Sequence, residues 1–116
     1  MRQYAHTWRI SDDIWDLWHS TELYPQGLGD QFANVARWSN QAIPGHWPDA
    51  DMLPLGHLGP APGWGVPRDN RLSHDEQQTL VNLWCIFRSP LMVGGKILAE
   101  VTRVLQSGPF RAGVWQ

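Results

Sequence analysis

The clearest hydrophobic pattern in the chain predicts a helix that begins after Ser73. Residues 73–76 (SHDE) form a capping box, in which the serine and the glutamate side chains each accept a backbone N–H at the helix start. Apolar residues then recur at the i, i+3, i+4, i+7 spacing of one helix face, at Leu80, Leu83, Trp84 and Phe87. Pro90 ends the pattern, because proline cannot continue a helix.

Three shorter apolar patterns predict strands. Residues 3–11 alternate aromatic and β-branched residues with polar ones, and 52–55 and 91–93 are brief apolar runs. Pro54 limits the second run to a short strand or a strand end, because proline donates no hydrogen bond to a sheet. The third run precedes two glycines, which predicts a buried strand that ends in a tight turn.

Three further helices are predicted between and after these strands. The first is capped by Asp12 or Asp13 and carries Asp16 on its solvent side, with a buried stripe at positions 14, 17 and 18. The second is capped by Asp30 and extends to the IPG sequence at 43–45. The third spans 97–105 and stops before a Gly-Pro pair.

The resulting order alternates strands with helices, which is typical of an α/β fold with a parallel sheet. Residues 56–72 are rich in glycine and proline and predict an ordered surface loop. About three βα units in 116 residues are too few for a closed eight-stranded barrel, which takes about 250 residues. We therefore expect open sheet edges, and with them self-association or marginal stability.

Composition narrows the class of partner. The net charge is −2, and no run of Lys or Arg is available to neutralise a nucleic acid or an anionic membrane. Cys85 is the only cysteine, so no internal disulfide is expected. No apolar stretch resembles a secretion signal or approaches the roughly 18 residues of a membrane span. A neutral ligand fits this chain best, and the cellular compartment stays open.

Two acidic clusters, each beside a tryptophan, carry the candidate chemistry. Asp13 and Asp51 lie 38 residues apart, a spacing that places both at the same rim of neighbouring parallel strands. Glycoside hydrolysis uses paired carboxylates. Aromatic rings such as Trp8 and Trp47 can hold the apolar face of a sugar. Packing in the core is the alternative role for the tryptophans, and helix or turn capping is the alternative for the aspartates.

Several motifs together resemble glycoside hydrolase family 27, the melibiase-type α-galactosidases. They are residues 8–16 (WRISDDIWD), 45–56 (GHWPDADMLPLG), 75–77 (DEQ) and 89–92 (SPLM), in that order along the first 95 residues. The resemblance implies a partial TIM (β/α)8 barrel, covering the sixth to eighth βα units. It implies that residues 1–116 are the C-terminal part of a catalytic barrel whose full-length relatives are often secreted, periplasmic or lysosomal.

The same resemblance assigns roles to individual residues. It implies that Asp13 is the acid/base of a retaining mechanism, that Arg9 holds sugar hydroxyls, and that Asp51 and Met52 line the galactose site. The nucleophile of the family is expected upstream of this chain. No cofactor is implied, and the spacing of the histidines and aspartates at 46, 49, 51 and 57 matches no standard metal site.

Three functions are compatible with these residues. The chain could be part of an α-galactosidase that is inactive until the missing barrel half completes it. It could be a carbohydrate-binding or interaction remnant without catalysis. It could also belong to a related enzyme acting on α-N-acetylgalactosaminides or β-L-arabinopyranosides, sugars that differ from galactosides at C2 and C5.

Overall fold

A computed structural model describes residues 4–59, 65–96 and 99–107. The predictions for Gln3 and Ile97 therefore lie outside the described residues. In chain order the elements are strand β1 (Thr7–Arg9), helix α1 (Leu28–Trp38), a 3-10 turn (Ser39–Gln41), strands β2 (Trp47–Asp49), β3 (His57–Leu58) and β4 (Arg68–Asp69), and helices α2 (His74–Phe87) and α3 (Ala99–Ser107). None of the helices in these ranges has the length and hydrophobicity needed to cross a bilayer.

Strands β1 and β2 form a parallel pair, with Thr7 opposite Trp47 and Arg9 opposite Asp49. A further parallel bridge joins Leu53 to Val93. The predicted α/β class with parallel pairing is thus confirmed. The second strand, however, begins at Trp47, before the predicted run 52–55. Residues 47–49 are the ones that pair with β1 in the parallel register.

Helix α2 forms where the capping box predicts it. The Ser73 hydroxyl accepts the Glu76 N–H at 3.3 Å, and the Glu76 carboxylate accepts the Ser73 N–H at 2.7 Å. The helix ends at Arg88, whose backbone is left-handed with φ 64°. Its apolar stripe joins one core with residues from the loops, α1 and α3, comprising Ile14, Leu28, Val35, Ala50, Leu53, Leu55, Leu72, Leu80, Val81, Leu83, Trp84, Phe87 and Val104.

The helix predicted after Asp12 or Asp13 is wrong. Residues 10–27 form an irregular loop that folds back on itself, with a parallel bridge between Ile14 and Gln26. The Trp15 N–H donates to the Gln26 carbonyl at 3.0 Å, and the Gln26 N–H donates to the Asp13 carbonyl at 3.0 Å. These contacts across the loop take the place of the i→i+4 bonds of a helix.

Helix α1 begins three residues earlier than predicted. Gly27 is its N-cap, and Asp30 caps from the third helical position by accepting the Gly27 N–H at 2.9 Å and the Ser20 N–H at 3.2 Å. Helix α3 is described over Ala99–Ser107, so it continues two residues beyond the predicted end at 105, and its predicted start at 97–98 lies outside the described residues. These are shifts of boundary within correctly predicted elements.

The run 91–93 is not a buried strand. Leu91 and Met92 are 53% and 54% exposed, and among the described residues the run pairs through one isolated parallel bridge, from Val93 to Leu53. The physical reason is that no described residue covers these two side chains. The loop 56–72 contains an antiparallel hairpin of β3 and β4, in which His57 lies opposite Asp69.

Candidate active site

The candidate site lies at the C-terminal ends of β1 and β2. Arg9 ends β1, and its guanidinium reaches two carboxylates. Its Nη2 is 2.8 Å from Asp13 Oδ1, and its Nη1 is 3.0 Å from Asp51 Oδ1. The structure therefore brings together three of the residues singled out by the sequence, at one rim of the parallel pair.

Asp51 is held rigidly by its backbone and its side chain. It adopts φ 86°, a left-handed conformation that Asp tolerates better than most residues. Its carbonyl accepts the indole N–H of the fully buried Trp84 at 2.7 Å. Its Oδ2 accepts the Ile14 N–H at 2.8 Å, and only 10% of the side chain is exposed. The core thus fixes the direction of this carboxylate.

Burial raises the pKa of the Asp51 carboxyl above its ordinary value. Hydrogen bonds from the Ile14 and Met52 N–H groups and the charge of Arg9 oppose this effect, while the neighbouring Asp13 charge adds to it. Because Arg9 is shared with Asp13, its single charge does not offset the desolvation of Asp51. Asp51 therefore ionises less readily than an ordinary aspartate, and further hydrogen-bond donors would stabilise its negative charge.

Asp13 is the accessible carboxylate of the pair, with 54% of its side chain exposed. Its Oδ2 accepts a hydrogen bond from the Tyr24 hydroxyl at 3.2 Å. The sequence does not single out Tyr24 as a site residue. The return of the loop at Gln26 is what brings the tyrosine to Asp13, and no local pattern indicates that return.

The two tryptophans occupy opposite faces of the strand pair. Trp8 is 8% exposed and its ring lies 6.5 Å from that of Trp38 in α1, so the geometry favours the packing role. Consecutive strand residues point to opposite faces, so Trp8 and Arg9 diverge. Trp47 is half-buried, with the Arg88 guanidinium 5.9 Å from its ring centre.

Met52 is half-buried directly beside Asp51. A Cβ atom built at Gly94 would lie 2.0 Å from the Met52 sulfur, so the absence of a side chain at 94 gives this methionine its place. The contact joins the residue after Asp51 to the turn that follows the run 91–93. Met52 is therefore packed at the edge of the rim.

Asp16, a second buried carboxylate, lies in the loop 10–27 that also carries Asp13. It was predicted to be solvated, which is wrong, because it is 2% exposed. Its carboxylate accepts hydrogen bonds from Arg68 Nε at 3.0 Å and the Arg71 N–H at 3.1 Å, with a close second contact from Arg68 Nη2. These partners are 52 and 55 residues away in sequence, which hides the cluster from any local pattern.

Desolvation pushes the pKa of Asp16 upward, but the hydrogen bonds from Arg68 and Arg71 and the Arg68 charge outweigh it, and the net shift is downward. Within the described ranges, no group of three or more His, Cys, Asp or Glu residues is arranged to hold a metal ion. His57 pairs with Asp69 at 2.8 Å in the β3–β4 hairpin.

Comparisons with known proteins identify the family of this chain. The family model described as Alpha galactosidase A matches residues 1–107. Alpha-galactosidase D of Emericella nidulans is 34% identical over 100 residues, covering 80% of this chain and 11% of that protein. Alpha-galactosidase 2 of Arabidopsis thaliana is 32% identical over 90 residues, covering 78% and 18% respectively.

Solved structures give the same result. A family 27 β-L-arabinopyranosidase from Geobacillus stearothermophilus has a TM-score of 0.74 and 43% identity, covering 87% of this chain and 23% of that one. The chain thus spans less than a quarter of the length of these proteins. The family match extends beyond the first 95 residues on which the sequence motifs lie. The chain therefore belongs to glycoside hydrolase family 27, the family of melibiase-type α-galactosidases.

Proposed function

We propose that this chain supplies the acid/base half of a retaining glycosidase site for terminal α-galactosides, on about three βα units of a TIM barrel. The observation that carries the proposal is the Arg9 guanidinium, which joins Asp13 and Asp51 at the C-terminal ends of β1 and β2. TIM-barrel enzymes place their chemistry at this end of the strands.

In this proposal Asp13 is the general acid/base. It is the more exposed of the two carboxylates, so a glycosidic oxygen can approach it. Arg9 and Asp51 bind sugar hydroxyls, and Met52 borders the sugar. Trp47 is the better placed of the two tryptophans to offer an aromatic face, because it lies on the same side of the strand pair as Arg9.

The nucleophile comes from outside residues 1–116. Retaining hydrolysis needs a second carboxylate about 5–5.5 Å from the first, free to attack the anomeric carbon. The family resemblance assigns Asp51 to sugar binding and places the nucleophile upstream, and Arg9 and the Ile14 N–H already contact the two oxygens of Asp51. The chain by itself is therefore expected to be inactive, and its open sheet edges favour association with the missing barrel half or with itself.

The proposal is tested by two measurements on the 116-residue chain. With a chromogenic α-galactoside we expect no turnover above the buffer rate. In an NMR titration with galactose we expect shifts at Arg9 and Asp51, retained in Asp12→Asn and lost in Asp51→Asn. Turnover that Asp13→Asn abolishes would contradict the inactive half-site, and the absence of any galactose-dependent shift would contradict the sugar site.

A related substrate is the second candidate, because a β-L-arabinopyranosidase of the same family is 43% identical to the chain and covers 87% of it. L-arabinopyranose has the ring hydroxyls of galactose but lacks the hydroxymethyl group at C5. A parallel titration with L-arabinose decides between them, since tighter binding of arabinose than galactose would make the arabinopyranoside the substrate.

A further inference from the structure

Tyr24 lies beside the carboxylate that the proposed function makes the acid/base. Its hydroxyl donates to Asp13 Oδ2 at 3.2 Å, and the residue is 44% exposed. The backbone holds the two segments together, because the Gln26 N–H donates to the Asp13 carbonyl at 3.0 Å and the Trp15 N–H donates to the Gln26 carbonyl at 3.0 Å. The fold thus fixes an exposed aromatic ring next to Asp13.

The two oxygens of Asp13 have different partners. Arg9 Nη2 lies 2.8 Å from Oδ1, and a guanidinium can only donate, so Oδ1 must accept. The proton that an acid would transfer therefore belongs on Oδ2. The Tyr24 hydroxyl can donate or accept, so its contact with Oδ2 is compatible with either protonation state. A glycosidic oxygen that takes this proton must approach Asp13 on the side where Tyr24 lies.

The glycosidic oxygen joins the recognised sugar to the leaving group. In the proposed function, on which this inference rests, Arg9 and Asp51 hold the recognised sugar, so the leaving group extends toward Tyr24. A tyrosine ring combines an apolar face with a polar tip, which suits a sugar ring with its C–H face and its hydroxyls. We propose that the Tyr24 ring binds the leaving group of the substrate, and that this group is a pyranose sugar.

The test compares two glycosides in NMR titrations of the 116-residue chain. Methyl α-D-galactopyranoside has no leaving sugar, whereas melibiose carries glucose in that position. We expect melibiose to bind about threefold more tightly or better, because only its second sugar can contact the aromatic ring. Tyr24→Ala should abolish this difference, and Tyr24→Phe, which keeps the ring, should retain it. Tyr4→Ala is the matched control, since Tyr4 is an exposed tyrosine before the start of β1, and it should retain the difference as well.

A measurement on the unmutated chain keeps the test independent of how the variants fold. At equal occupancy of the site, the ring proton signals of Tyr24 should shift more with melibiose than with the methyl glycoside. Equal affinity for the two glycosides, or a difference that survives Tyr24→Ala, would overturn this inference alone and leave the proposed sugar site standing. No shift with either glycoside would overturn the inference together with that site.

Discussion

Two clusters of aspartate and arginine each contain one aspartate of the loop 10–27, and they differ in how charge is shared. At the rim, one arginine, Arg9, serves two carboxylates. In the interior, two arginines and a backbone N–H serve the single carboxylate of Asp16. The pKa of Asp51 is raised and that of Asp16 is lowered, although both side chains are buried.

The difference shows that burial alone does not set the protonation of a carboxylate. Desolvation raises the pKa of both aspartates; at Asp16 the hydrogen bonds from Arg68 and Arg71 and the Arg68 charge outweigh it, whereas at Asp51 the hydrogen bonds and the Arg9 charge do not. Both carboxylate oxygens of Asp16 accept hydrogen bonds. These bonds connect the segment containing Arg68 and Arg71 to the loop that bears Asp13. In the rim cluster Arg9 is shared between two carboxylates, so the sugar hydroxyls of the proposed function would add donors there.

The largest expected effect is that of Asp16→Asn. The variant leaves Arg68, whose side chain is only 14% exposed, without its counter-charge. Removing one partner of a buried ion pair typically costs about 3–5 kcal/mol, and we expect a loss of about 3 kcal/mol in the free energy of unfolding. Urea denaturation at neutral pH measures this loss.

The control for that measurement is Asp12→Asn, which removes an exposed carboxylate of the same loop and should change stability by less than about 0.5 kcal/mol. The contribution of Asp16 to stability depends on pH with a defined sign. Because the folded pKa of Asp16 lies below its ordinary value of 3.8, its stabilisation is present above 3.8 and is lost as pH falls through the folded value. Equal stability of Asp16→Asn and Asp12→Asn would remove the contrast between the clusters.

Asp51→Asn is expected to change the free energy of unfolding by less than Asp16→Asn does, and in the opposite direction. Because the folded pKa of Asp51 is raised, its contribution to stability is greatest below 3.8 and is lost as pH rises through the folded value. Asparagine tolerates the left-handed backbone, and its amide oxygen can accept the Ile14 N–H. At pH 7 the variant should be at least as stable as the original chain, by up to about 1 kcal/mol.

Thermal and urea unfolding at pH 7 and near pH 4 test this expectation. Asp51→Ala is the matched variant, because it removes the acceptor as well as the charge and should be less stable than Asp51→Asn by about 1–3 kcal/mol. A loss in Asp51→Asn comparable to that in Asp16→Asn would mean that both clusters are structural, and the distinction would fail.

How well the sequence predicts a feature depends on how far apart in the chain the interacting residues lie. Helix α2 is correct because its capping box and apolar stripe are local. Asp13 and Asp51 meet as predicted because each follows a strand and the two strands are neighbours. Asp16, Tyr24 and the loop they share are mispredicted or missed because their partners are fixed by long-range contacts.

The smallest expected effect is that of Tyr24→Phe, which tests the exposed side of the rim cluster. The Tyr24 ring is 44% exposed and its hydroxyl is 3.2 Å from Asp13, so solvent screens the contact. We expect a change of less than about 0.5 kcal/mol in unfolding free energy, together with a shift of the Asp13 carboxyl carbon signal in NMR spectra. A loss above about 1.5 kcal/mol would exceed the usual net value of one hydrogen bond. Asp13 would then be locked structurally like Asp16, and it would not be free to meet a glycosidic oxygen.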